Sequence, residues 1–182
     1  WNESPEAERR PKPKLHGICV GVAGTGKTFI QKFVTLLSRL FTLHADAAVT
    51  MASSGSAAVA CRGGTPESVI GMGNRNSGVF TTPGVNRLGP LQRQRQRCIT
   101  ALVDEISLIG LGLMGHMANA FGYTFNGGDY DLQSSVLWGG LEIVLFFGDF
   151  CQLPPVLDIG GVLYQVMDPE YRGTTRPDRQ QV

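Results

Sequence analysis

A glycine-rich segment at residues 21–28, with the sequence GVAGTGKT, constrains this chain more than any other feature. It matches the pattern G-x-x-x-x-G-K-[ST], in which glycines let the backbone curl and direct successive amide groups at phosphate oxygens. The apolar run at residues 15–22 predicts a buried central strand before it, and apolar residues at helical spacing predict a helix from residue 28 to about residue 41 after it. This order predicts a phosphate-binding loop; a glycine turn without a ligand is the alternative.

Side chains within this loop have predicted roles of their own. The Lys27 ammonium is expected to reach the β- and γ-phosphates of a nucleotide, and the Thr28 hydroxyl is expected to ligate Mg²⁺. The predicted nucleotide-binding residues are Gly21, Gly24, Thr25, Gly26, Lys27 and Thr28.

Two carboxylates end a second apolar run, at residues 99–105. Because α/β sheets bind ligands at the carboxyl ends of their strands, Asp104 is predicted to hold Mg²⁺ through water beside the glycine-rich loop. Glu105 is then close enough to act as the general base that takes a proton from the water attacking the γ-phosphate. A solvated acidic turn is the alternative interpretation of this pair.

A third apolar run, at residues 141–147, leads into the sequence GDFCQLPP at residues 148–155. It brings Asp149 and Gln152 to the same edge of the predicted sheet, where Asp149 is expected to contact the nucleotide. Gln152 could hydrogen-bond the γ-phosphate or the attacking water, which makes it a predicted nucleotide sensor. An ordinary turn is the alternative here as well.

Strand-like and helix-like segments alternate along the chain. This alternation predicts an α/β fold, with a parallel sheet covered by helices on both faces. A long loop or insertion is expected at residues 73–98. The remaining predictions are a linker or truncated upstream segment at 1–14, one domain at 15–182, a strand at 47–52, and helices at 55–61 and 110–121.

Composition excludes several classes of protein. The formal net charge of +1 provides no global attraction to nucleic acid. No apolar run approaches the roughly 20 residues that span a bilayer, so no membrane association is expected. The four cysteines form no C-x-x-C pair, which signals neither a zinc site nor a disulfide framework and favours a reducing, intracellular compartment.

Three arginines alternate with glutamines at residues 92–97. In an extended segment, this spacing would place the guanidinium groups of Arg93, Arg95 and Arg97 on one side, where they could follow the phosphates of single-stranded DNA. A solvated loop that only maintains solubility is the alternative.

The sequences GVAGTGKT, LVDEIS and GDFCQLPP resemble, in order and spacing, the first three main motifs of Pif-type (petite integration frequency) superfamily 1 DNA helicases. The resemblance covers residues 15 to about 157. It implies a RecA-like P-loop NTPase domain that uses ATP and Mg²⁺ and moves 5′ to 3′ on single-stranded DNA. It further implies service in DNA repair, recombination and telomere maintenance, in the nucleus or the mitochondrion.

The resemblance implies the same roles for the site residues. Lys27 and Thr28 would bind ATP and Mg²⁺, Asp104 would hold Mg²⁺, Glu105 would activate water, and Gln152 would sense the γ-phosphate.

Residues 52–58 are similar to the segment with which this family contacts single-stranded DNA, so Ser54 and Gly55 are implied as DNA contacts. The family usually has proline and threonine where this chain has Ser53 and Ser54. No second apolar strand-helix set follows Pro155, so the second RecA-like domain, with its arginine finger, is expected to be missing from this chain. The chain alone is then expected to hydrolyse ATP slowly and not to unwind DNA.

Two other functions fit parts of the sequence. A small-molecule P-loop kinase would use residues 73–98 as a lid, but it leaves GDFCQLPP unexplained. An inactive helicase remnant of a mobile element would retain the glycine-rich loop without turning over ATP.

Overall fold

Four parallel strands form one sheet in the computed structural model, which describes residues 13–72, 85–125 and 137–152. The predicted α/β fold with a parallel sheet is confirmed, because each strand lies within a segment predicted from the sequence. The strands are β1 (Leu15–Val20), β2 (Ala48–Ala52), β3 (Thr100–Asp104) and β4 (Ile143–Gly148), arranged in the order β1-β4-β3-β2.

Within the described residues, five α-helices connect or cover the strands. None in the described ranges is long and apolar enough to cross a membrane. The helices are α1 (Lys27–Thr42), α2 (Gly55–Ala60), α3 (Pro66–Val69), α4 (Val85–Arg95) and α5 (Leu111–Phe125). The predicted helices at residues 28–41, 55–61 and 110–121 are therefore confirmed as α1, α2 and α5.

Helix α4 corrects the prediction of a long loop at residues 73–98. Leu88 and Leu91 are buried one helical turn apart and anchor the helix, although Pro90 interrupts its backbone hydrogen bonding. The segment is rich in arginine and glutamine, so its few apolar residues did not indicate a helix in the sequence. Residues 73–84 lie outside the described part of the chain.

Helices cover both faces of the sheet, as predicted. The strand register places Val49, Ala101 and Val144 side by side on one face, and α5 packs on this face through Met117 and Phe121. On the other face, the Ser38 hydroxyl of α1 lies 2.8 Å from the Thr100 hydroxyl of β3. The core therefore lies mainly between the sheet and α5.

The strand β1 differs from its prediction as a buried central strand. Among the described residues it pairs only with β4, at one edge of the sheet, and Ile18 and Val20 are more than half exposed. An apolar run indicates that both faces of a strand can be covered, but it does not determine the strand's lateral position.

Helix α1 turns its polar side toward the sheet. Gln31 and Ser38 are buried, whereas Phe29 and Leu36, on the opposite side of the helix, are 73% and 63% exposed. A hydrogen-bonded hydroxyl pair thus takes the place of an apolar contact between α1 and β3.

The outer edge of β2 is covered by a short segment after α2. The Gly64 amide donates to the Thr50 carbonyl at 3.2 Å, and the Ala52 amide donates to the Gly64 carbonyl at 3.0 Å. A β-carbon on the neighbouring Gly63 would lie 2.1 Å from the Thr50 carbonyl oxygen. This close approach fixes the end of β2, from which the residues of the candidate site continue.

We expect Gly63→Ala to lower the free energy of unfolding by about 1–3 kcal/mol, because the added methyl group must displace the backbone of β2. Urea denaturation of the two proteins would measure the difference. As a control, Gly122→Ala within α5, where no atom outside the adjoining helix backbone lies within 4 Å of the added carbon, should raise stability by about 0.5–1 kcal/mol. Equal stability of Gly63→Ala and the wild type would contradict the close approach.

The hydroxyl pair between α1 and β3 predicts a non-additive pair of substitutions. The Ser38 hydroxyl also lies 2.8 Å from the Val34 carbonyl, so it donates there and accepts from the fully buried Thr100 hydroxyl. Ser38→Ala should lower the free energy of unfolding by about 1–3 kcal/mol, because it leaves the Thr100 hydroxyl without its partner. Adding Thr100→Val should recover most of this loss in thermal denaturation, and a double variant no more stable than Ser38→Ala would refute the assignment.

Candidate functional site

The glycine-rich loop depends on glycine for its backbone shape. Gly24 and Gly26 have φ angles of +81° and +91°, a region that glycine adopts without the steric cost of a β-carbon. The Thr25 hydroxyl donates to the Val22 carbonyl at 2.8 Å and closes the turn. A β-carbon on Gly21 would lie 2.7 Å from the Thr25 hydroxyl oxygen. The three glycines predicted to bind a nucleotide are therefore the residues that permit the loop's curvature.

Lys27 lies against the carbonyl groups of this loop. Its ammonium donates to the Gly21 carbonyl at 2.5 Å and to the Val22 carbonyl at 2.9 Å. Thr28 follows in the first turn of α1, where it is exposed and where backbone amides have no carbonyl partner within the helix. Cationic and amide donors thus converge at the start of α1, as an anion-binding loop requires.

The sheet register brings the other predicted residues to the same edge as the loop. The Gly21 amide donates to the Gly148 carbonyl at 3.1 Å, which joins the start of the loop to the end of β4. Asp104 ends β3 opposite Ala52 of β2, and Asp149 directly follows β4. As predicted, one edge of the sheet, at the carboxyl ends of the strands, therefore carries three elements. They are the glycine-rich loop at residues 21–28 (the P-loop), the Asp104-Glu105 pair and the turn after β4.

The Asp104-Glu105 pair is held in a defined conformation. The Asp104 carboxylate accepts the Glu105 amide at 2.9 Å, and Glu105 has left-handed backbone angles, with φ 56° and ψ 48°. Such a conformation costs a non-glycine residue about 1 kcal/mol or more, so surrounding contacts must maintain it.

Two serines after β2 supply such contacts. The Ser54 hydroxyl donates to the Glu105 Oε2 atom at 2.9 Å, and the Ser53 hydroxyl lies 3.4 Å from the same oxygen. The sequence predicted Ser54 only as a DNA contact, and its bond to Glu105 was missed. The signal was present, because Ser54 lies two residues after β2 and Glu105 directly follows β3, but the adjacency of the two strands was needed to interpret it.

The turn after β4 is organised by Asp149. This buried carboxylate accepts the Cys151 amide at 2.9 Å, and the Asp149 carbonyl accepts the Gln152 amide at 3.1 Å. Phe150 packs against the core, while Gln152 is exposed at the edge of the sheet. Asp149 thus shapes the turn that presents Gln152, and the direct nucleotide contact of either residue stays a prediction.

The predicted row of arginines is wrong in its geometry. Arg93 and Arg95 belong to α4, and side chains two positions apart on a helix point about 200° from each other rather than to one side. Arg95 donates to the Val69 carbonyl at 3.4 Å. Arg97 follows the helix and lies 3.2 Å from His44, which precedes β2, so Arg97 lies near the amino edge of the sheet, opposite the P-loop.

The metal-binding prediction is compatible with the donor atoms present. The described ranges contain no cluster of three or more His, Cys, Asp or Glu side chains that could hold a metal. Thr28 and Asp104 instead offer a hydroxyl and a carboxylate oxygen, which suits Mg²⁺, because this ion usually takes one or two carboxylates and completes its shell with phosphate and water oxygens.

The chain is similar in sequence to known helicases. The sequence model of PIF1-like helicases matches residues 13–167. The ATP-dependent DNA helicase Pif1 of Bdellovibrio bacteriovorus is 32% identical over 143 residues, which cover 77% of this chain and 29% of the relative.

Solved structures share the fold. Pif1 from Bacteroides sp. bound to single-stranded DNA has a TM-score of 0.56 and 22% identity, covering 80% of this chain and 30% of that one. Pif1 from Candida albicans has a TM-score of 0.54 and 24% identity, covering 82% and 32%. The chain therefore spans about a third of the length of these relatives. Because the family model covers most of the sequence and the Bdellovibrio relative agrees with it, this chain belongs to the PIF1-like helicase family.

Proposed function

We propose that this chain is the ATP-binding motor domain of a DNA helicase that hydrolyses ATP in response to single-stranded DNA and moves 5′ to 3′. One observation carries the proposal: the P-loop lysine and the Asp104-Glu105 pair lie at one edge of the sheet, and Glu105 is hydrogen-bonded to the segment that follows β2. The same edge thus combines groups for nucleotide binding with a contact to the proposed DNA-binding segment.

Nucleotide binding would begin at Lys27. Its ammonium would exchange the carbonyls of Gly21 and Val22 for phosphate oxygens, which are stronger acceptors because they carry charge. Thr28 and Asp104 would hold Mg²⁺, which neutralises charge on the phosphates when bound. A complex of Bacteroides Pif1 with ADP-AlF3 and single-stranded DNA supports this class of ligand.

Water activation would fall to Glu105 and γ-phosphate sensing to Gln152. A general base must come within about 3 Å of the water that it deprotonates. Glu105 directly follows Asp104, the proposed Mg²⁺ ligand at the end of β3, and Gln152 is exposed on the turn after β4. Both side chains can therefore approach the γ-phosphate from neighbouring strands.

DNA would contact the start of α2. Ser54 caps this helix by accepting the Ala57 amide at 3.3 Å, and Gly55 is exposed, with no atom within 4 Å of a β-carbon built on it. This open surface leaves space for a strand of DNA. The DNA contacts predicted for Arg93 and Arg95, on α4, stay predictions, whereas Arg97 lies near the amino edge of the sheet, away from the start of α2.

The cellular role is proposed from the family. DNA repair, recombination and telomere maintenance are its expected processes, in the nucleus or the mitochondrion. Membership of the helicase family argues against the small-molecule kinase, and measured ATP turnover would separate an active motor from an inactive remnant.

Lys27→Ala is expected to weaken ATP binding about 10- to 100-fold, the loss typical of a hydrogen bond to a charged group. Fluorescence titration with a labelled ATP analogue would measure the dissociation constant. Lys32→Ala provides the matched control, since Lys32 is an exposed lysine of the same helix outside the loop. Equal affinity of both variants would remove Lys27 from the site.

Glu105→Gln is expected to lower the turnover number of DNA-stimulated ATP hydrolysis by about 10²- to 10⁴-fold, because the amide cannot accept the proton of the attacking water. ATP affinity should stay unchanged. The assay uses the full-length gene product with and without single-stranded DNA. Glu142→Gln, at the opposite edge of the sheet, should retain normal turnover; retained turnover in Glu105→Gln would show that another group is the base.

A further inference from the structure

The hydrogen bond between Ser54 and Glu105 links the segment after β2 to the candidate catalytic carboxylate. We propose that Ser54 is a positioning residue that restrains Glu105 away from the P-loop, and that movement of the segment after β2 releases it for ATP hydrolysis. This inference rests on the proposed role of Glu105 as general base. It assigns Ser54 a task distinct from touching DNA.

The contacts that restrain Glu105 come from one side. Ser54 donates to Oε2 at 2.9 Å, and Ser53 lies 3.4 Å from both Oε2 and the Glu105 carbonyl. A carboxylate only accepts hydrogen bonds, so the serine hydroxyls must be the donors. The shorter contact, from Ser54, is the stronger restraint.

The strand order shows in which direction the carboxylate is held. In the order β1-β4-β3-β2, the P-loop follows β1, whereas Ser53 and Ser54 follow β2, on the other side of β3. Neighbouring strands lie about 4.8 Å apart, which places β1 about 10 Å from β3. A bond to Ser54 therefore directs the Glu105 carboxylate toward β2, and the side chain must turn back toward β4 to serve a water at the P-loop.

Ser54 is placed to sense movement of α2. Its hydroxyl oxygen also accepts the Ala57 amide at 3.3 Å, so the same atom caps the helix and holds Glu105. Rotation or displacement of the first turn of α2 would move this oxygen and weaken the bond to Glu105. DNA bound across Gly55, as the proposed function requires, would act on that turn.

The restraint predicts a specific change in ATP hydrolysis by the full-length gene product. Ser54→Ala should raise the turnover number without DNA about 5- to 20-fold, because one hydrogen bond to a charged group no longer holds the carboxylate. At saturating single-stranded DNA, the turnover number should change less than about twofold, since Glu105 is then already released. The stimulation by DNA should therefore fall, with little change in the KM for ATP.

Three further variants separate the restraint from helix capping. Ser54→Gly removes the hydroxyl while glycine remains an acceptable N-cap, so it should behave like Ser54→Ala even if the alanine variant is unstable. Ser54→Thr retains a hydroxyl and should restore the wild-type stimulation. Thr35→Ala removes a hydroxyl of α1 that bonds to the Gln31 carbonyl and lies outside the segment after β2, and should resemble the wild type.

Two outcomes would overturn the inference. Wild-type turnover and stimulation in both Ser54→Ala and Ser54→Gly would show that the bond restrains nothing. An equal decrease of turnover with and without DNA would show that Ser54 supports Glu105 instead of restraining it. If the wild-type protein itself shows no DNA-stimulated turnover, the proposed function fails, and this result differs from either outcome for Ser54.

Discussion

The parallel pairing of β3 with both β2 and β4 is the constraint on which the rest of the structure depends. Parallel strands in register end at the same edge, so each polar residue that follows a strand is delivered to one place. Asp104 and Glu105 occupy the middle of that edge, between the serines after β2 and the turn after β4. A shift of β3 by one residue would exchange its two faces, remove Ala101 and Val103 from the core and turn Thr100 away from Ser38.

Close backbone packing reinforces this register. A β-carbon on Gly148 would lie 2.6 Å from Ile106, which shows that the end of β4 packs tightly against the turn that carries Glu105. On the other side, the segment containing Gly63 and Gly64 covers β2. Glycine is needed at Gly63 and Gly148 because a β-carbon there would lie 2.1 Å from the Thr50 carbonyl oxygen and 2.9 Å from the Ile106 amide nitrogen, respectively. The left-handed conformation of Glu105 is thus held between two closely packed neighbours, a common arrangement at functional sites.

The parts of the fold that have local signals could be predicted from the sequence. The four strands lie in apolar runs, α1 has apolar residues at helical spacing, and residues 21–28 match the glycine pattern of a phosphate-binding loop. Helix α4 was missed because its burial depends on Leu88 and Leu91 alone, within a segment dominated by arginine and glutamine. The predicted row of arginines is wrong for the same reason. Residues two positions apart lie on one side of an extended chain but on opposite sides of a helix.

Features that depend on lateral strand order could not be predicted at all. Nothing along the chain indicates that β1 lies at an edge of the described sheet or that α1 faces it with Gln31 and Ser38. The bond between Ser54 and Glu105 belongs to the same class, because it joins residues 51 positions apart through the adjacency of β2 and β3.

Ser53 and Ser54 depart from the family pattern, and this departure changes the hydrogen bonds available to Glu105. The resemblance to the Pif-type family implies proline and threonine at the two positions where this chain has Ser53 and Ser54. A threonine at the second position would keep the hydroxyl that holds Glu105, whereas a proline at the first would have no hydroxyl to offer. Ser53 therefore adds a second donor, at 3.4 Å from the same carboxylate oxygen, to the restraint that Ser54 provides. Since hydrogen bonds to one carboxylate add to its stabilisation, Glu105 in this chain is held more firmly than a proline-threonine pair would hold it, and its release requires more free energy.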